Sequence, residues 1–361
     1  MTDQKSLAVI HHSLINSGGM ERYVFDLING LLQHTNDLNI LSRKVDRQLV
    51  KDFSDKVIEF PSSILTPQKL KNRIFAHKVS SSGLLNSCLS IGPSRIPGID
   101  IAIVGGTHMG HILNAKNGRI SFWDRLELNS ERAYYQQAKV IIAHSDLMKS
   151  ELMDLYHVPE HKVRIIYPPV DTSRFNPDNE PNRDELRARL GFQKNEIVFL
   201  FPSSSHKRKG LDRIAPVFIN STLPIVLAVA GSPIDYKSDK IRYLGRLDDM
   251  ELAYTAADFT ILASSYEPFG LVGPESVLCG TPVVLSENIA CAQTIKSTAK
   301  FTFDRDSTES IAATVQEAVE RYKIGDHRLG DPIQHLTYPP MVDSHIQQVF
   351  SVSKSYRALN I

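Results

Sequence analysis

Cysteine is scarce in this chain: Cys88, Cys279 and Cys291 are odd in number, widely spaced and in no metal-ligand or redox pattern. That excludes a disulfide framework and predicts inert thiols in a reducing compartment. Long apolar runs are missing too. No window resembles the ~20 apolar residues of a membrane span, so a membrane-spanning protein is excluded. The opening residues MTDQKSLAVIHHSL lack the basic region and apolar stretch of a secretory signal, which predicts a cytoplasmic chain. No nucleic-acid motif is present, and no nucleic-acid partner is expected. Acid is nearly absent from one region. Between residues 61 and 119 stand Lys69, Lys71, Arg73, Lys78, Arg95, Lys116 and Arg119 against the single acid Asp100, within a chain of net charge +1. Such a stretch serves as a solvated helix face, or meets an anionic substrate or an anionic membrane surface.

What is present is alternation. A length of 361 residues favours two domains. Short β-branched or apolar runs alternate with segments of helical period, the pattern of parallel sheets with crossover helices. Strands are predicted at 7–12, 37–42, 56–60, 100–105, 139–144 and 163–167, with helices at 20–33, 67–89, 122–137 and 145–156. The segment YPPVDTSRFNPDNEPNRDE, rich in Pro, Asn and Asp, reads as a linker. A second series follows at 197–201, 225–230, 241–244, 259–263, 282–285 and 300–303, then helices at 308–322 and about 342–358. The expected fold class is α/β, with two Rossmann-like doubly wound domains in tandem. Ligands of such sheets sit outside the carboxyl ends of the strands.

Three loops after strands hold groups suited to a phosphorylated ligand. In INSGGME, Gly18 and Gly19 permit close backbone approach, and the following helix points N–H groups at an anion; the same pair also serves turn geometry alone. In PSSSHKRKGLD, Ser204, Arg208 and Lys209 lie in a cluster of hydroxyls and cations ahead of a helix expected near Gly210. That suits a diphosphate whose charge grows as it departs. In YEPFGLVGPESVLCGT, Pro268 and Gly270 shape a turn, and Gly273 and Pro274 are expected to open a helix. The amides of Phe269, Gly270, Leu271 and Val272 then face the ligand, flanked by Glu267 and Glu275, whose carboxylates accept hydrogen bonds from sugar hydroxyls. A fourth loop, GGTHMGH, carries His108 and His111.

These motifs together resemble the GT-B glycosyltransferases of family 4, which retain the donor's anomeric configuration. GGMER, SERAYY and KRKGLD look most like the bacterial lipopolysaccharide core glycosyltransferases, and the likeness spans nearly the whole chain. It implies two Rossmann-like domains facing each other across a cleft: 1–170 on the acceptor side, with the helix at about 342–361 packing back on it, and 171–341 binding the nucleotide sugar. Glu275 would hold the donor's ribose hydroxyls, Glu267 the donor sugar's hydroxyls, and Arg208 and Lys209 the leaving diphosphate, with Gly19 closing over it. A histidine of the first domain contacts the donor sugar in this family, and His108 is favoured over His111. Glu131 and Arg132 are read as structural ahead of acceptor-binding. Many relatives have an arginine where this chain has Ser204, leaving Arg208 to supply that charge, and PES stands here where many relatives have LEA.

The implied reaction transfers a sugar from a nucleotide sugar, expected to be a UDP-sugar, to a hydroxyl of a glycan or lipid-linked acceptor. No cofactor and no metal are expected. The localisation implied is cytoplasmic, with peripheral contact on the inner face of an anionic membrane. A sugar-nucleotide epimerase and a non-catalytic sugar-nucleotide-binding protein share the fold as alternatives, and site residues rather than fold decide among them.

Overall fold

Short apolar strands separated by helices form two parallel sheets, each with its own core. The computed structural model describes residues 6–16, 19–116 and 118–359, with side chains described as far as 355. In chain order the strands are β1 (Ser6–Ile10), β2 (Ser13–Leu14), β3 (Leu38–Ser42), β4 (Lys44–Val45), β5 (Val57–Glu59), β6 (Cys88–Gly92), β7 (Ile101–Val104), β8 (Val140–Ala143) and β9 (Val163–Ile165). The second series comprises β10 (Ile197–Ser203), β11 (Ile225–Gly231), β12 (Ile241–Gly245), β13 (Phe259–Leu262), β14 (Val283–Ser286) and β15 (Lys300–Phe303). Two compact units result: Met1–Pro169 with Val342–Ile361, and Val170–Met341.

Unit 1 has the strand order β5-β3-β1-β6-β7-β8-β9, with β2 and β4 paired separately, and unit 2 has β12-β11-β10-β13-β14-β15. Every pairing is parallel. In each sheet the chain first builds outward in one direction, then returns to the middle and builds the other way. The reversal falls between β1 and β6 in unit 1 and between β10 and β13 in unit 2. At such a point the two following loops diverge to opposite faces and leave a crevice at the strand ends. No helix among the described residues is long and apolar enough to cross a membrane.

One central strand departs from the sequence expectation. The helix expected over 67–89 is instead Gln68–Ser81, a left-handed Gly83 (φ 77°), a single turn Leu84–Ser87, and then β6. The residues CLSIG carry no alternation because every one is buried, and they mix sulfur, hydroxyl and glycine rather than β-branched side chains. The GGTHMGH loop is likewise partly helical: His108–Ala115 starts at the first histidine, capped by the Thr107 side chain, which accepts from the Gly110 amide.

The unit 1 core makes acid sensitivity an expected property. Burial pushes the pKa of His11 and His144 down to about 3 and that of His345 to about 4. His345, on the helix Val342–Leu359, meets the Tyr23 hydroxyl at 3.0 Å and the Tyr167 carbonyl at 2.9 Å. The unfolded chain, with imidazoles near 6.5, binds protons that these three refuse when folded. Stability is therefore fully present above about pH 6.5 and declines as pH falls toward 4, with a slope approaching ~1.4 kcal/mol per pH unit for each group. Thermal unfolding between pH 7.5 and 4.5 should show Tm level at first and then falling steeply below about pH 6. A Tm that rises or stays level down to pH 4.5 would contradict the buried neutral state.

Candidate functional site

In unit 2 the loops after β10 and β13 meet at the reversal point. After β10 the residues His206–Lys209 form one extra helical turn, and the helix expected near Gly210 follows directly. Gly210 is left-handed (φ 81°), and the next helix begins at Leu211. A Cβ at Gly210 would lie 2.1 Å from the Ala263 carbonyl oxygen, so only glycine lets the two loops close. They are stitched by backbone: the Ala263 amide donates to Lys209 O (3.1 Å) and the Ser265 amide to Arg208 O (2.8 Å).

That stitching brings three of the expected residues onto one oxygen. Glu267 Oε2 accepts from Arg208 Nη1 at 2.9 Å and from Ser264 Oγ at 3.1 Å, and lies 3.3 Å from Lys209 Nζ. Arg208 Nη1 also donates to the Tyr266 carbonyl at 3.0 Å. Lys209 is buried, while Arg208 and Glu267 are partly open to solvent. Two cations and one carboxylate at the mouth of a parallel sheet leave one net positive charge, suited to an anion with hydroxyls beside it.

Beyond Glu267, Gly270 adopts φ 95°, and a Cβ there would press on Glu267 Cγ at 3.0 Å and Ile289 at 3.2 Å. Phe269 is buried, and its carbonyl accepts from the Cys291 amide at 2.8 Å. Leu271 and Val272 form the entry to the helix Val272–Leu278. The helix thus begins ahead of Gly273 and Pro274. Pro274 at its third position costs nothing there, because the first four helical amides have no intrahelical acceptor. Glu275 follows, half-buried, and its Oε2 accepts from the Tyr254 hydroxyl at 3.0 Å. Burial and then the neighbouring Glu275 push the Cys279 thiol up to about 12, and burial and then Glu267 do the same for Cys291. Both thiols are inert at neutral pH.

Ser204 is exposed, and its carbonyl accepts from Ser232 Oγ at 3.1 Å. His206 carries a role that its sequence context hides. Its Nδ1 meets Ser203 Oγ at 3.0 Å and its Nε2 meets the Ser232 carbonyl at 2.9 Å, pinning the loop after β10 to the loop after β11. Only the spacing of those loops in the sheet reveals it. A triplet with Asp-x-Asp spacing, Asp304–Arg305–Asp306, follows β15. Its carboxylates are engaged locally, Asp304 by the Asp306 amide (3.0 Å) and Asp306 by Arg305 (2.9 Å) and Arg213 (3.4 Å).

Unit 1 has a site of its own at its reversal point. A cavity of about 330 Å³ is lined by His11 and His12 after β1, Ser94 and Arg95 after β6, and residues of the helices Gln68–Ser81 and Phe122–Gln137, among them Arg73, Glu127 and Ser130. Ser94 Oγ lies 3.2 Å from His11 Nδ1 and 3.1 Å from His12 Nδ1. Burial lowers both imidazole pKa values, and His11 Nε2 is buried without a partner. His11, His12 and Glu21 each bring a donor atom within 4.8 Å of the others, so these are the residues that could hold a cation. The clustering of His11, His12 and Ser94 was not expected from sequence, since β6 went unread, and Arg73 and Arg95 were named only as members of the basic stretch.

His108 and Gly19 also lie in unit 1, and Gly18 lies outside the described residues. Gly19 opens the helix Gly19–His34 with open space where a Cβ would stand. His108 Nε2 is 2.9 Å from Asp124 Oδ1, and its amide donates to both oxygens of the fully buried Glu131 (3.0 and 2.9 Å). His111 lies one turn on, its ring 6.5 Å from that of His108. Lys116 and Ser121 hold the Asp124 carboxyl well below the usual carboxylate range. Glu131 also accepts from Tyr135, Tyr156 and Arg95, so it is a hub of the core.

Known proteins agree with this architecture. Residues 17–174 match the model of Glycosyltransferase Family 4, and residues 182–330 that of Glycosyl transferases group 1. A Burkholderia thailandensis protein named "Probable transglycosylase" is 38% identical over 346 residues, covering 95% of each chain. Among solved structures, WaaG, a glycosyltransferase involved in lipopolysaccharide biosynthesis, superposes with TM-score 0.74 at 15% identity over 98% of this chain and 99% of its own. Anabaena HepE in complex with UDP-glucose superposes with TM-score 0.73 at 15% identity over 97% and 100%. The chain belongs to the GT-B glycosyltransferases, with a Family 4 domain followed by a group 1 domain.

Proposed function

We propose that this transferase moves a sugar from a nucleoside diphosphate sugar to a hydroxyl of a glycan or lipid-linked acceptor, with retention of the donor's α configuration. A UDP-sugar is the favoured donor, and assembly of lipopolysaccharide or another cell-surface polysaccharide the favoured setting. The observation that carries the reading is the convergence of Arg208, Lys209 and Glu267 at the unit 2 reversal point. Support for the donor comes from the UDP-glucose held by the Anabaena relative, and for the setting from the lipopolysaccharide role of WaaG.

In this mechanism the diphosphate sits against Arg208 and Lys209, which gain attraction as the anomeric C–O bond breaks and negative charge collects on the leaving oxygen. Those two cations do the work a metal ion would otherwise do at the diphosphate. Glu267 orients the donor sugar through its hydroxyls, and Glu275 takes the ribose hydroxyls. The acceptor oxygen bonds to the anomeric carbon on the face the diphosphate leaves. Its proton passes to the departing phosphate oxygen, so atoms and charge balance without a protein nucleophile.

Donor titration by calorimetry with UDP-, GDP- and ADP-sugars tests the reading directly. Glu275→Ala should raise the donor Kd about 10- to 100-fold, the equivalent of losing roughly one charge-assisted hydrogen bond. Because the variant also orphans the Tyr254 hydroxyl, Glu275→Ala/Tyr254→Phe should regain stability without regaining affinity. A Kd unchanged in both variants removes the role given to Glu275. NMR of the product's anomeric proton then reports retention, and an inverted product refutes the route.

A further inference from the structure

The crevice between β1 and β6 gathers nitrogen and carboxylate donors that the transferase chemistry leaves unused. The two strands run parallel, with Val9 beside Ile91, so the residues after them emerge together. Gly92 permits it: a Cβ there would lie 2.2 Å from the Ile10 carbonyl oxygen. That approach carries Ser94 against His11 and His12. Its Oγ accepts from the His12 amide at 3.0 Å and lies 3.2 Å from His11 Nδ1 and 3.1 Å from His12 Nδ1. Glu21 joins them from the first turn of the helix Gly19–His34.

The arrangement is that of a cation site rather than of core packing. A ring anchored at Nδ1 leaves Nε2 as its free ligand atom, and His11, 2% exposed, buries its Nε2 with no hydrogen-bond partner among the described residues. Leaving a buried nitrogen unpaired is costly, and a metal bond removes that cost. The two rings stand 4.4 Å apart, and donor atoms of His11, His12 and Glu21 all lie within 4.8 Å of one another. Zinc bonds of about 2.1 Å put two donors roughly 3.3 Å apart, so a small side-chain adjustment closes the set. Burial keeps both imidazoles neutral, and the Glu21 carboxylate opposes an anion. Charge alone does not make the site. Arg95 is balanced by Glu127 and Glu131, but Arg43 bears on His12 and opposes a cation. Hard ions held by oxygen and charge are therefore disfavoured, whereas an ion bonded by imidazole nitrogen is not.

We propose that His11, His12 and Glu21 bind one Zn2+ in unit 1, with Ser94 as the positioning residue that orients the rings. Two imidazoles and a carboxylate are the ligand set of an open zinc site, which keeps a fourth position for water or a ligand oxygen. His11 and His12 line the cavity of about 330 Å³, so a hydroxyl or carboxylate of its occupant completes the coordination. On the transferase reading above that occupant is the acceptor, and the metal site stands without it. The ion is separate from the diphosphate cluster of unit 2, where Arg208 and Lys209 supply the positive charge.

The untagged full chain, stripped with chelator and titrated with Zn2+ by calorimetry, should bind one ion with a Kd of about 1 μM or tighter. Mg2+ and Ca2+ should bind at least about 100-fold more weakly. His12→Asn and Glu21→Gln, both at half-buried positions, should each weaken Zn2+ binding at least about 30-fold, and Ser94→Ala about 10-fold. Nitrogen-15 NMR of the wild-type imidazoles gives a readout that needs no variant to fold. Of the 13 histidines, His11 and His12 should shift on addition of one equivalent of Zn2+ while the others hold. The proposal is overturned by absence of Zn2+ binding, by wild-type affinity in a His12→Asn/Glu21→Gln variant with native circular dichroism, or by ring shifts at other histidines instead. None of these readouts needs donor or acceptor, so they fail separately from the transferase reading.

Discussion

Lys209→Met is expected to lower kcat/KM by about 10²–10³-fold, with the loss in kcat rather than in donor affinity. The ground-state position of Lys209 explains the split. Its Nζ is already 3.3 Å from Glu267 Oε2, and that oxygen keeps Arg208 at 2.9 Å and Ser264 at 3.1 Å after the substitution. Glu267 therefore keeps a countercharge at rest, and methionine fills nearly the same buried path. What disappears, on the proposed mechanism, is a cation beside the diphosphate, whose negative charge rises further as the bond to the anomeric carbon breaks. Calorimetric donor Kd should change less than tenfold, and Tm by only a few degrees. Initial rates measured with donor at saturation decide the matter. A kcat within threefold of wild type would separate this cluster from the chemistry and leave it a structural pair between two loops.

Much of the unit 2 site was legible in the sequence because its determinants are local. KRKG places two cations next to the glycine that a left-handed residue demands, and Glu267 follows a run, FTILASS, with the unbroken apolar character of a buried parallel strand. Register then does the rest: pairing of Phe199 with Phe259 and Leu200 with Thr260 aligns the two strands so that their loops emerge together. Unit 1 was read less well for a physical reason. β6 is buried on all sides and spells CLSIG, so neither periodicity nor β-branching marks it, and the preceding leucines extend a helical pattern across Gly83. Missing that strand hides the reversal between β1 and β6, and with it the cavity that brings Ser94 and Arg95 to His11 and His12. Tyr254 and His206 escaped for another reason. Their partners, Glu275 and Ser232, lie 21 and 26 residues away and become neighbours only through the sheet.

The largest stability effect belongs to Asp258, at the opposite end of the strands that carry the site. It is fully buried just before β13, and its carboxylate accepts from Arg183 Nη2 at 2.5 Å, Arg187 Nη1 at 3.1 Å and the Val198 amide of β10 at 2.7 Å, with His327 Nε2 at 3.4 Å. Burial alone would raise its pKa, but His327, Arg187, Arg183 and the Val198 amide together hold it below the usual carboxylate range. Asp258→Asn keeps the shape and removes the charge, leaving Arg187 buried beside a neutral amide. Breaking a buried ion pair from one side costs about 3–5 kcal/mol, because the remaining charge is stranded away from water. For a unit of this size that corresponds to a fall in Tm of roughly 10 °C, which calorimetry would resolve as a shift of the unit 2 transition while unit 1 melts as before. Asp258→Leu/Arg187→Met should recover part of the loss, since an apolar pair of similar volume avoids both desolvation terms. A Tm within 2 °C of wild type would mean that water reaches Arg187 and that β10 and β13 are held by their backbone ladder and the Gly210–Ala263 closure alone.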